Sequence, residues 1–92
     1  MTTYGLVADL KAIVAAGEPI AVDIETDGAE VDRCRITCLS FANTSRGVSF
    51  LPEGPAWDYA KEVLANPSIT KIFHNGFFFD VPVLRRHGVE VL

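Results

Sequence analysis

Two carboxylates one residue apart, Asp23 and Glu25, stand in the run Ala21-Val22-Asp23-Ile24-Glu25-Thr26-Asp27-Gly28. Residues two apart on an extended strand project from one face, so both acids point together while Val22 and Ile24 point the other way. Like charges so placed repel, and their hard oxygens suit a divalent cation. The same pair can also be solvated side chains leading into the Asp27-Gly28 turn. A third acid, Asp80, follows Lys71-Ile72-Phe73-His74-Asn75 and the run Phe77-Phe78-Phe79. At a helix start it can simply cap free N–H groups. If the strand before it pairs with the strand bearing Asp23 and Glu25, it can instead converge on the acidic edge. Three carboxylates there would form a metal site of the type used for phosphodiester hydrolysis. Two ions about 3.5–4 Å apart then activate the attacking water and stabilise the leaving oxygen.

The neighbours of Asp80 extend this chemistry. An amide and an aromatic ring, as in Asn75 and Phe79, suit a frayed single-stranded end whose unpaired bases expose their faces. Most of the phenylalanine run is expected to be core, with at most one ring meeting a substrate. His74 reads as structural rather than as a ligand. Lys71, Arg85 and Arg86 can reach phosphates, with a solvated face as the plainer expectation.

The elements that must position these residues follow from the pattern of apolar residues. Leu6, Leu10, Ile13 and Val14 recur at helical spacing before Gly17 and Pro19, which predicts a helix over Thr3 to Ala16. Ile20 to Glu25 reads as a strand, Arg33 to Ala42 as a second and Val48 to Leu51 as a third, close enough in sequence to be antiparallel neighbours. Gly54-Pro55 opens a helix with the stripe Trp57, Ala60, Val63 and Leu64, and Asn66-Pro67 ends it. Ile69 to Phe73 is a short strand. A last helix starts near Phe78 to Asp80 and closes at Gly88, with Arg85, Arg86 and His87 placed where cations favour the helix dipole. Three antiparallel strands running into a βαβ unit make an α/β mixed sheet with helices on its faces.

Composition narrows the class. A chain of 92 residues with 49% hydrophobic and 22% charged residues is one ordinary globular domain at most. The N-terminus has no basic segment leading into an apolar core, and no apolar run reaches membrane-spanning length, so the expected location is the cytoplasm with no membrane partner. The net charge of −4 argues against bulk electrostatic binding of nucleic acid but leaves room for a local grip. Cys34 and Cys38, both placed on the second strand, would sit about 13 Å apart. That is beyond the roughly 7 Å a disulfide spans, so both are expected as small buried thiols.

The run Ala21 to Gly28 resembles the first motif of the DEDD 3′–5′ exonucleases, which have an RNase H-like fold. Cys38-Leu39-Ser40-Phe41-Ala42 and Gly47-Val48 resemble the second and third strands. Lys71, His74-Asn75, Phe79-Asp80, Leu84, Gly88 and Glu90 resemble the second motif. The likeness is greatest to the proofreading exonuclease domain of polymerase I type DNA polymerases, and it covers about Pro19 to Leu92. It implies Asp23, Glu25 and Asp80 as catalytic ligands of two Mg²⁺ (or Mn²⁺) ions. It places Asn75 and Phe79 along the 3′-terminal nucleotide and Thr26 beside the terminal sugar. The implied substrate is the 3′ end of single-stranded or frayed DNA, with RNA also open.

Three departures accompany the likeness. Ala29 stands where the family often has a bulky apolar wedge, for which Val31 is the available substitute. Asn75 and Asp80 are five apart where the polymerase I type usually has four. The family's fourth acid, with the tyrosine or histidine that orients water, lies on a later helix. Residues 1–92 are therefore expected to form a single, C-terminally incomplete exonuclease domain, completed by a further segment, a polymerase domain or a second copy. An alternative is a non-catalytic RNase H-like module that binds a protein partner or a nucleic-acid end, suggested by the apolar finish Val89, Val91 and Leu92.

Overall fold

The computed structural model describes the backbone of residues 3–74 and 76–92 and the side chains of 7–74 and 78–92. Its elements in chain order are α1 (Thr3–Ala15), β1 (Ile20–Thr26), β2 (Ile36–Ala42), β3 (Gly47–Phe50), α2 (Gly54–Ala65), β4 (Lys71–Phe73), a π-helical turn (Gly76–Asp80) and α3 (Val81–Arg86). The sheet has the order β3-β2-β1-β4. β1 therefore lies inside it, antiparallel to β2 through pairs such as Asp23↔Ser40 and parallel to β4 from Ile20↔Lys71 to Val22↔Phe73. The architecture is the expected α/β mixed sheet, and β4 lies beside the strand that carries the acids.

Alternation along β1 decides which way the acids face. Ile20, Val22 and Ile24 are buried, whereas Ala21, Asp23 and Glu25 are exposed. The buried set joins Leu39 and Phe41 of β2, Val48 and Phe50 of β3, Leu10 and Ile13 of α1, and Ala60, Val63 and Leu64 of α2 in one core. Val83 and Leu84 of α3, both fully buried, belong to the same core. Helices were expected on the faces of the sheet; among the described residues the core lies on one face. The other carries Asp23, Glu25 and Ile72, the last 54% exposed.

Local chemistry explains the element ends. Asn43 folds its side-chain oxygen onto the amides of Ser45 and Arg46 at 2.9 and 3.0 Å, closing the β2–β3 turn. α3 ends in a Schellman motif: Gly88, at φ 81°, donates to Arg85 O at 3.0 Å and Val89 to Leu84 O at 3.0 Å.

Several expectations are corrected. β2 begins at Ile36 rather than Arg33, because the amides of Arg33 and Cys34 both turn back to Glu30 O, at 3.1 and 2.9 Å. Cys34 thus lies in a turn and not on a strand, although it is buried; Cys38 is only half-buried, and both thiols are free. The parallel ladder of β4 starts at Lys71 instead of Ile69. The finish of the chain is not an exposed apolar edge: Val89 and Val91 are buried, and Leu92 donates to Leu64 O at 3.0 Å. Only the Leu92 side chain is exposed, so the feature that suggested an interaction module largely belongs to the core. No helix among the described residues is long and apolar enough to cross a membrane.

Candidate active site

The two acids of β1 sit where the strand pairing is irregular. Glu25 faces Cys38, but the next pair is Thr26↔Ile36, so Thr37 is the extra residue of a β-bulge in β2. Its hydroxyl donates to Glu25 O at 3.1 Å. Bulges bend and twist a strand locally and so re-aim neighbouring side chains. Beyond the bulge, Asp27 closes the loop with two bonds: its amide donates to Arg35 O at 3.1 Å, and its carboxylate accepts from the Arg35 amide at 2.7 Å.

Asp80 arrives from the other side. β4 runs parallel to β1, and the π-helical turn that follows it ends at Asp80, which leads straight into α3. π-helical turns are rare and frequent at functional sites. Asp80 has helical backbone angles, φ −59° and ψ −51°, and its side chain makes no capping bond. The capping role that its position allowed is not the one it plays. Its carboxylate is only 3% exposed, and Oδ2 has no hydrogen-bond partner. It is the only buried polar or charged residue among those described.

The electrostatics tie Asp80 to β1. Burial raises its pKa above the ordinary aspartate value, and the Asp23 carboxylate raises it further; His74 acts in the opposite direction, and Glu25 adds a smaller upward push. The three acids thus share one electrostatic neighbourhood. They are not gathered into a ligand cage, since no group of three or more His, Cys, Asp or Glu among the described residues is arranged to hold a metal ion.

The remaining residues singled out from sequence are distributed unevenly. Thr26 is half-buried, and its exposed hydroxyl donates to Gly28 O at 2.6 Å, within its own turn. Phe79 is half-buried and packs on the core, whereas Phe78 is 84% exposed, so the ring presented to solvent is its neighbour. Asn75 lies outside the described residues. Lys71, whose pKa burial lowers, donates to Asn66 O at 2.6 Å. Arg85 donates to Val91 O at 3.2 Å.

Sequence reasoning missed the use made of Arg86 and His87. The Arg86 guanidinium donates from Nε to Val31 O at 2.7 Å and from Nη2 to Cys34 O. The His87 ring pairs Nδ1 with Val83 O at 2.8 Å and Nε2 with the Ile36 amide at 3.4 Å. From sequence both are cations favouring a helix end, with Arg86 also able to reach a phosphate or lie on a solvated face. Their common target, the bulged connection after β1, has no signature in a list of residue types.

Comparison with known proteins places the chain in a family. A family model described as 3′–5′ exonuclease matches residues 1–92. Among solved structures the chain is similar to Escherichia coli RNase D, an exoribonuclease involved in structured RNA processing. The TM-score is 0.74 at 25% identity, over 98% of this chain and 24% of that one. The chain thus spans about a quarter of that protein's length. No curated protein matches.

Proposed function

This chain belongs to the 3′–5′ exonuclease family, and we propose that it contributes Asp23, Glu25 and Asp80 to a metal-assisted site that hydrolyses the 3′-terminal phosphodiester bond of a single-stranded or frayed DNA end. The observation that carries the proposal is the buried Asp80 carboxylate, unpaired at Oδ2 and pushed towards protonation first by its burial and then by Asp23. An unpaired buried carboxylate within the field of two others is costly unless a cation joins them. By chemical type the donors suit a hard divalent ion such as Mg²⁺ or Mn²⁺, which Asp23 and Glu25 from β1 and Asp80 before α3 would hold. When bound, two such ions supply Lewis acidity to the attacking water and the leaving oxygen.

The chain's own residues do the rest. The sheet presents Asp23 and Glu25 on its open face, so a phosphate can approach them without displacing core. The core behind them excludes water from the Asp80 side. Phe79, Thr26 and Asn75 are proposed to border the terminal nucleotide, where an aromatic face and an amide suit an unstacked base. Three carboxylates are assigned, and a C-terminal segment, a polymerase domain or a second copy is proposed to supply a fourth acid and a tyrosine or histidine that orients water.

The test is cleavage of 3′- and 5′-labelled single strands, DNA and RNA of one sequence, with Mn²⁺ or EDTA. The expected outcome is slow, Mn²⁺-dependent loss of the 3′ label that disappears in Asp23→Ala. Loss from the 5′ end, or activity that survives EDTA, refutes the reading. Fast Mn²⁺-dependent turnover would show instead that no further segment is needed. The likeness to an exoribonuclease favours a second reading, RNA as substrate. Faster loss of the RNA label would select it and remove the proofreading role implied by the polymerase likeness.

A further inference from the structure

The bulge in β2 has a consequence for the backbone beside Glu25. An extra residue in an antiparallel pair breaks the ladder and leaves an amide without its usual partner. Here the Ile36 N–H is answered by the His87 ring, 51 positions along the chain, at 3.4 Å. The bond requires a bare Nε2, and the 2.8 Å contact of Nδ1 with Val83 O requires the proton on Nδ1. With its two nitrogens so engaged, the ring joins the bulge to a carbonyl of α3.

The adjacent Arg86 works on the same connection from its other end. Its guanidinium spans two carbonyls of the loop after β1, Val31 O and Cys34 O. A planar fork is pre-organised to meet two acceptors at once, which the rotating ammonium of a lysine is not. Val83 and Leu84, one turn earlier, are fully buried, so α3 is anchored in the core while its last residues reach outwards. Asp80 immediately precedes α3, and Glu25 lies at the bulge. The strand side and the helix side of the acidic neighbourhood are thus strapped together by two consecutive side chains.

We propose that Arg86 and His87 are positioning residues, which fix the bulged connection after β1 onto α3 and thereby set the separation of Asp23 and Glu25 from Asp80. The assignment rests on the carboxylate reading above. It differs from a general stabilising role in one measurable respect: the strap governs the affinity of the acids for a cation as well as the melting temperature.

Isothermal titration of the whole chain with MnCl₂ tests it, at a temperature where circular dichroism shows each variant folded. Arg86→Met and His87→Phe keep bulk but lose the hydrogen bonds. Each is expected to weaken Mn²⁺ binding about 10-fold, the lower end of what residues behind metal ligands contribute. His87→Gln, which restores an acceptor near Nε2, and Arg86→Lys, which restores one donor, are expected to recover part of the loss. Hydrogen exchange gives a second readout without metal: the Ile36 amide is expected to lose protection in His87→Phe and regain it in His87→Gln. If the unaltered chain binds Mn²⁺ and both bulk-preserving variants bind within twofold of it, the assignment is overturned alone. If the unaltered chain binds no Mn²⁺, the carboxylate reading falls and takes the assignment with it.

Discussion

Replacing Asp80 with asparagine separates what this carboxylate costs the fold from what it contributes to a site. The side chain is 3% exposed, and one oxygen has no partner. A buried polar atom left unpaired costs about 1–3 kcal/mol, and more when charged. Asparagine keeps the volume and a buried polar atom but removes the charge, so about 1 kcal/mol is expected to be recovered. In a domain of this size 1 kcal/mol moves the melting temperature by roughly 4–8 °C. The sign with pH follows from the raised pKa. The folded state favours protonated Asp80, so its contribution is fully present below the ordinary aspartate pKa and is lost as pH rises through the raised folded value. The advantage of Asp80→Asn is therefore largest at neutral pH and vanishes in acid. Manganese reverses the order: at about 100 times its dissociation constant, a bound ion stabilises the unaltered chain by about 2.7 kcal/mol, and the variant by much less. The assay is thermal melting at several pH values in EDTA and in Mn²⁺. A lower melting temperature for Asp80→Asn in EDTA at neutral pH would refute the reasoning, because the ionised carboxylate would then be stabilising the fold.

Other perturbations probe the remaining parts. Asp23→Asn removes the largest charged contributor to the Asp80 shift, so the Asp80 titration followed by NMR is expected to move down towards the ordinary aspartate range. Because Asp23 is exposed, the same change is expected to alter unfolding free energy by less than about 0.5 kcal/mol in chemical denaturation. Leu84→Ala empties a fully buried site on α3 and is expected to cost about 2–5 kcal/mol, enough to unfold much of the population at 37 °C by circular dichroism. Gly88→Ala meets no atom within 4 Å but must adopt φ 81°. It is expected to lose roughly 1–2 kcal/mol in denaturant titrations, from backbone conformation alone.

Much of this architecture was legible because it rests on short-range patterns. The alternation of Ile20, Val22 and Ile24 with Asp23 and Glu25 fixes both the strand and the face of the acids, and Gly88 announces the end of α3. The pairing of β4 with β1 followed from the order of elements. What escaped depends on contacts between distant segments. The bulge at Thr37 reflects competition between the strand ladder and the Glu30–Cys34 turn, and no residue there marks it. Arg86 and His87 looked like surface charges because their partners are backbone carbonyls and an amide, which every residue possesses. Phe78 and Phe79 differ only in which side of a π-helical turn they occupy, a distinction invisible in three identical letters.

The parallel pairing of β1 with β4 also orders events in time. The β2–β3 connection closes across Asn43 to Arg46, whereas Ile20 meets Lys71 only after about 50 intervening residues have been gathered. Each doubling of a loop costs about 0.6 kcal/mol of chain entropy, so this closure costs about 2 kcal/mol more than the hairpin. The meander and its core are therefore expected to assemble first, with β4 docking late and carrying Asp80 with it. Pulsed hydrogen exchange during refolding is expected to protect the Leu39 amide before that of Phe73. Mutual repulsion among the acids is then expected to arise only once a nucleus exists to bear it, so it does not obstruct the route by which the molecule forms.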